Sequence, residues 1–353
     1  ESGLSALATA LTGYAPRWGL HLDANRVPNM QVHVECEMRH LSDWSVLGDW
    51  IGKQVLPEWD MPYGPMPYLT GLPDTMSFGS KKALTAAAAN YGCPMLWAEG
   101  HSAAPPLAVD DNGHFSPPEG GWQGMLRFTQ DDLDQRYDEL APQGQVDLVV
   151  IGCPQASLEE LRLTAAALET HMEEGRTVPN HRLWVFTSGE NYAVAEAEGT
   201  VQLLEEGGAL LLKDTCPEVT PYNRTKYKHL LTNSLKAEHY LTSGLNRLPT
   251  SVMPIAACVA HAIDPNLSQG PSPVLTAKAQ PQHASSKRHQ SGSLSVKGSG
   301  LRSQEGFAVR GRALVTDVPI TYLGYVNRDT GIIEEAGHPP VSYTHLRAHE
   351  TPA

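Results

Sequence analysis

At 353 residues and 41% hydrophobic content, the chain is long enough for one large or two ordinary domains with a real core. A formal net charge of -13 disfavours nucleic acid and anionic membrane surfaces as partners. No apolar run approaches the roughly 18 residues a membrane helix needs, no signal peptide is visible, and five cysteines, an odd number, argue against a disulfide framework, so a reducing, cytoplasmic setting is expected.

The chain opens on Glu1, and helix-like sequence begins at once, at Leu4 to Leu11. This start reads as a chain entered part-way, without its N-terminal region. Residues 1–265 then alternate apolar and turn segments, as in an α/β domain. Cys36, in the alternating "QVHVECEMRH", reads as a strand packing residue, and Cys93, in "NYGCPMLW", is intermediate between packing and function.

The stretch 146–216 is the clearest. A strand from Val146 to Ile151 stops at Gly152, followed by Cys153-Pro154 and a helix starting near Ser157. Ser157 and Glu160 form an S-x-x-E capping box. Leu158, Leu161, Ala165, Leu168 and Met172 fall on one helical face, and Gly175 is a plausible end. A second strand, Leu183 to Phe186, ends at Thr187-Ser188-Gly189. A second helix spans about Asn191 to Glu206, and a third strand, Ala209 to Leu212, runs into Asp214-Thr215-Cys216-Pro217. Strand–helix–strand–helix–strand implies parallel strands. Farther on, Cys258 sits among alanines on a predicted helix, as a core residue would.

Residues 266–304 contain no Asp or Glu and are rich in Ser, Pro, Gln, Lys and His, which predicts a flexible linker. Residues 305–340 alternate apolar positions around an Asp-Thr-Gly turn, the start of a small β-rich domain. Residues 341–353 break the pattern and look non-native.

In parallel α/β sheets, ligands bind beyond the carboxyl ends of strands. Cys153 and Cys216 are brought to one such edge by topology although far apart in sequence. They form no C-x-x-C pair, so a redox motif or zinc ribbon is disfavoured. Thiolates suit soft metals and iron–sulfur clusters, and the alternative is simple packing. The 15 histidines show no H-E-x-x-H spacing, and no G-x-G-x-x-G, Walker loop or G-x-S-x-G appears. One polar run remains, "LLTNSLKAEHYL". Its Thr232-Asn233-Ser234 at a helix N-terminus, with Lys236 behind, suits a carboxylate, against the alternative of an ordinary N-cap and a solvated Lys.

Taken together, "TGYAPRWGLHLDANR", "DLVVIGCPQASLEEL", "KDTCPEV" and "LLTNSLKAEHYLTSGL" resemble the catalytic domain of aconitase X. The segment "GRALVTDVPITYLGYVNRDTGIIEEAGHP" resembles the start of that family's small swivelling domain. The resemblance covers most of 1–265 and again 306–339. It implies an aconitase-like α/β fold with parallel sheets, and a hydro-lyase acting on a small hydroxy acid. Bacterial-type members of the family dehydrate cis-3-hydroxy-L-proline to a pyrroline carboxylate, and archaeal members dehydrate 5-phosphomevalonate. Catalytic and swivelling segments on one chain favour the first.

The resemblance further implies an iron–sulfur cluster or mononuclear iron. Cys153 and Cys216 match family ligands, a third is expected N-terminal to this chain, and Cys258 is a weaker substitute. It also implies that Lys236 meets the substrate, and Asn233 and Ser234 beside it could hold the carboxylate with it. The family's catalytic serine would fall after Pro340, where this chain departs from the pattern, so the chain by itself is expected to be inactive. Two rivals remain: a thiol enzyme using a low-pKa Cys153 at the Ser157 helix start, and a non-catalytic fragment or binding module.

Overall fold

The computed structural model describes residues 3–54, 59–109 and 115–267. Almost all of the expected linker 266–304, the β-rich segment 305–340 and the tail 341–353 lie outside the described residues.

Helix α1 (Gly3–Thr12) leads to strand β1 (Met30–Val34), helix α2 (Leu41–Lys53), β2 (Pro67–Thr70), α3 (Phe78–Ala88), β3 (Trp97–Ala98), β4 (Gly124–Phe128) and α4 (Gln130–Leu140). There follow β5 (Leu148–Ala156), α5 (Leu158–Met172), β6 (Leu183–Thr187), α6 (Gly189–Ala197), α7 (Thr200–Glu206), β7 (Ala209–Lys213), β8 (Leu230–Thr232), α8 (Leu235–Ser243), β9 (Thr250–Val252) and α9 (Ile255–Ile263). The strands make two sheets, ordered β3-β2-β1-β4 and β7-β6-β5-β8-β9. Every pairing within them is parallel. The expected α/β architecture is therefore present twice over. The segment 146–216 supplies three neighbouring strands of the second sheet.

Strand β5 reads as an unbroken apolar run because both of its faces are covered. Val149 and Ile151 enter a core with Leu161, Leu168, Val185 and Val259. Leu148 and Val150 face the other way, toward Tyr227, Leu230, Ala237 and Leu241. Alternation on a two-sided sheet thus splits one strand between two cores. A third core, built on Val32, Leu69 and Phe128 of the first sheet and Leu47 of α2, also takes in Leu235 of α8 and Val252 of β9.

The capping box is as expected. Ser157 accepts from the Glu160 amide while the Glu160 carboxylate accepts from the Ser157 amide. Leu161, Ala165 and Leu168 are buried, and Leu158 and Met172 pack at the margin of the same core. Three expectations change. Strand β5 does not stop at Gly152 but continues through Cys153-Pro154 to Ala156, with a register shift between Ile151 and Ala156. The expected helix 191–206 is two helices, because Gly199 adopts a left-handed φ of 80 that ends α6. Cys36 lies beyond the end of β1, with its thiol against the sulfur of Met38, rather than within the strand.

Gly152 makes the bulge possible. Its φ is +110, and a Cβ there would overlap the Phe186 carbonyl of the neighbouring strand. Both the conformation and the close approach require glycine. Gly152→Ala is expected to lower unfolding stability by about 3 kcal/mol or more. A urea midpoint indistinguishable from that of the parent chain would contradict this account.

Candidate functional site

The edge beyond β5, β6 and β7 is where the chemistry-bearing residues gather. The Cys153–Pro154 peptide is cis. Cys153 is 8% exposed and packs with Tyr222, Phe186 and Leu230. Cys216, half-buried, follows β7, and its carbonyl accepts from the Thr220 hydroxyl at 2.9 Å. Ser188 caps α6, and the Gly189 amide donates to Asp214 Oδ1 at 2.8 Å, which joins the ends of β6 and β7. All five cysteines are free.

Burial pushes the Cys153 thiol up to about 11; Lys236 pulls it down, while Cys216 and Glu218 add to the rise. The two sulfur atoms are therefore within electrostatic reach of each other. A thiol held this way is protonated near neutral pH and is a poor nucleophile. The low-pKa thiol rival thus lacks the electrostatics it needs. Tyr222 stacks on Trp184 with ring centroids 5.7 Å apart, and its buried hydroxyl has no hydrogen-bond partner. Burial, then Glu218 and both cysteines, push its pKa up, so the phenol stays protonated.

The Thr232-Asn233-Ser234 corner closes the edge from the β8 side. Ser234 is the N-cap of α8, accepting from the Ala237 amide, and its hydroxyl donates to the Cys153 carbonyl at 2.6 Å. Its bonding capacity is thus spent on holding the cysteine loop. Asn233 donates its amide to Glu160 Oε1 at 3.2 Å, which leaves Asn233 Oδ1 buried without a partner, as is Thr232 Oγ1. Lys236 is half-buried, its ammonium 5.2 Å from the Tyr240 ring centroid. No ion pair is recorded for it among the described residues, and its charge acts on Cys153.

Several participants escape a sequence reading. Lys82 of α3 pairs with Glu160 and donates to the Gln155 carbonyl at 2.6 Å. Gln155 Nε2 donates to the Thr215 carbonyl at 3.0 Å, bridging the two cysteine loops. Glu160 carries a signal only as a helix cap, and Lys82 carries none.

An iron or iron–sulfur centre needs several soft donors in an otherwise dry, shaped site. Two thiols on one edge and an orphaned Tyr222 hydroxyl within electrostatic reach of both fit part of that demand. No group of three His, Cys, Asp or Glu is placed to hold a metal among the described residues. Cys258 is not a third leg. It is fully buried in the core on the opposite side of the second sheet, and its thiol donates to the Met253 carbonyl at 3.3 Å. Elsewhere, a groove between α2 and α4 is lined by Asp49, Lys53, Arg136 and Glu139. Asp49 there is already bonded to Lys53, Arg136 and Tyr91, which makes the groove a saturated structural network. No helix among the described residues is long and apolar enough to cross a membrane.

Residues 146–264 match the family model described as the aconitase X third domain. The chain is 33% identical over 242 residues to the phosphomevalonate dehydratase large subunit of Methanothermobacter thermautotrophicus, covering 68% of this chain and 55% of that protein. It is 30% identical over 269 residues to the cis-3-hydroxy-L-proline dehydratase of Pseudomonas aeruginosa, covering 73% of this chain and 43% of that protein. The crystal structure of Thermococcus kodakaraensis aconitase X in its holo-form matches with a TM-score of 0.57 at 28% identity, over 70% of this chain and 59% of that one. The chain spans about half the length of the curated relatives it matches.

Proposed function

This chain belongs to the aconitase X family, and on that premise we propose that the whole protein is a hydro-lyase removing water from a small hydroxy acid, with cis-3-hydroxy-L-proline as substrate. The observation that carries the proposal is one sheet edge where Cys153, Cys216, Lys236 and the Thr232-Asn233-Ser234 corner meet. Loss of water from an unactivated alcohol needs help for the departing hydroxyl and a base for the adjacent C–H. An iron or iron–sulfur centre, when bound, supplies Lewis acidity for the hydroxyl. Cys153 and Cys216 are two of its ligands in this reading, with a further ligand outside the described residues.

The chain's own residues do the rest of the work at this edge. Lys236, with no ion-pair partner recorded among the described residues, meets the substrate carboxylate with a charge-assisted hydrogen bond. Asn233 Oδ1, buried and unpartnered, accepts from an N–H or O–H of the bound molecule. Ser234 supports this corner by holding the Cys153 carbonyl in place. The proton-abstracting serine that the family resemblance implies would fall beyond Pro340, where this sequence departs from the family pattern. The same reading assigns 1–265 to the catalytic domain and 305–340 to the start of the swivelling domain, joined by 266–304.

The second substrate reading, 5-phosphomevalonate, is favoured by the 33% identity to a phosphomevalonate dehydratase large subunit. Joining of the 306–339 segment to the catalytic region on one chain supports the hydroxyproline reading. The deciding experiment is anaerobic purification of the whole protein with assays of both compounds side by side. Turnover of cis-3-hydroxy-L-proline in an iron-containing sample is the expected result. Turnover of 5-phosphomevalonate alone would replace the first substrate with the second, and an active, metal-free sample would remove the iron-dependent mechanism.

A further inference from the structure

The register shift in β5 leaves the stretch between Ile151 and Ala156 without its regular ladder to β6. Side chains hold it instead. Ser234 donates to the Cys153 carbonyl and Lys82 to the Gln155 carbonyl, each at 2.6 Å, and the Gln155 amide reaches Thr215, the residue before Cys216. Lys82 also pairs with Glu160, and the two side chains are only 14% and 8% exposed. The Glu160 carboxylate carries three further contacts: the Ser157 amide, the Ser157 hydroxyl and the Asn233 amide. One buried ion pair therefore touches the cysteine loop, the start of α5 and the β8–α8 corner. Such a pair adds little net stability, because desolvation offsets the attraction. What it does supply is geometry, since separating either charge from its partner inside the protein is strongly unfavourable.

We propose that the Lys82–Glu160 pair is a positioning element that sets the Cys153 loop and the Asn233 corner against each other. Lys82 fixes the loop through the Gln155 carbonyl, and Gln155 passes that constraint to the chain entering Cys216. Glu160 fixes the face that Asn233 presents by taking its amide nitrogen, so that the oxygen is left for a donor. This role rests on the reading of that edge as the reaction site. Its test reads backbone motion rather than turnover, so either idea can fail without the other.

The experiment is amide hydrogen exchange on the whole chain, comparing the parent with Lys82→Met, Lys82→Arg and Lys82→Met/Glu160→Gln. In Lys82→Met, exchange over 152–156 and 231–235 is expected to rise about tenfold while α5 and α9 keep their protection. Lys82→Arg restores the parental rates to within about twofold, because its guanidinium reaches the same two acceptors. The double variant leaves no lone buried charge, so it keeps the fold if Lys82→Met does not. It loosens 152–156 but spares 231–235, because the neutral amide of Glu160→Gln stays buried and accepts from Asn233, whereas in Lys82→Met the unpaired Glu160 carboxylate turns toward water and leaves Asn233. Unchanged exchange at 152–156 in both Met variants overturns the proposal. So does a rise that is equal in α5 and α9, which would mark a general loss of stability, or a failure of Lys82→Arg to restore protection.

Discussion

Cys153→Ser in the whole protein, purified without oxygen, is expected to lose bound iron and dehydratase turnover together, each by about a hundredfold or more. Cys216→Ser is expected to do the same. A serine hydroxyl is a hard, weakly acidic donor, and it does not replace a thiolate on a soft centre. The fold is not the cause of the loss. Cys153 makes no hydrogen bond through its sulfur among the described residues; its backbone carbonyl is the anchored atom, and serine keeps that carbonyl. Serine also adds a buried hydroxyl, which lowers stability by only about 1–3 kcal/mol. Iron measured per chain and far-UV dichroism separate the two effects. Full iron content in either variant would remove that cysteine from the ligand set, whatever happens to the rate.

Lys236→Ala is expected to cut kcat/KM by roughly 10- to 100-fold, with iron content unchanged. The magnitude is that of one charge-assisted hydrogen bond lost to a carboxylate. Lys236 is suited to the part because its ammonium sits over the Tyr240 ring and no acidic side chain neutralises it among the described residues. A lysine that merely covered the surface would change neither KM nor kcat on removal. Unaltered kinetics would therefore return Lys236 to that role, and loss of iron would instead make it a support of the cysteine loop. Lys236→Arg is a useful companion. It keeps the charge but alters its shape and reach, so recovery in KM without recovery in kcat would locate the residue at substrate binding.

The two substitutions differ in how far their targets could be foreseen. Cys153 and Cys216 follow the apolar runs of β5 and β7, which flank β6 and end on the same edge of a parallel sheet, and that inference needed only strand order. Lys236 was visible as a cation in the first turn of a helix capped by Ser234. What Ser234 and Asn233 bond to was not visible. Both were expected to hold a carboxylate as donors. The Ser234 hydroxyl is committed to the Cys153 carbonyl, and the Asn233 amide to Glu160. Cys258 is a similar case. Its helix and its burial were readable, but its place on the far side of the sheet from Cys153 was not.

Short-range rules account for the parts that could be read from residues in order. The Ser157–Glu160 box, the apolar face of α5, the strand ends and the N-cap at Ser234 involve neighbours within a turn or a strand, and local sterics and hydrogen bonding decide those. The break at Gly199 and the bulge at Gly152 were missed because a glycine permits a left-handed φ without demanding it. Tertiary packing made the choice at Gly152, where the Phe186 carbonyl of the adjacent strand occupies the space of a side chain. The Lys82–Glu160–Asn233 set lies wholly beyond local reading. Its contacts join residues 78 and 73 positions apart, on α3, on α5 and in the corner between β8 and α8. Only the docking of α3 against the second sheet brings that ammonium to that carboxylate, because a charge takes whichever partner the folded chain places next to it.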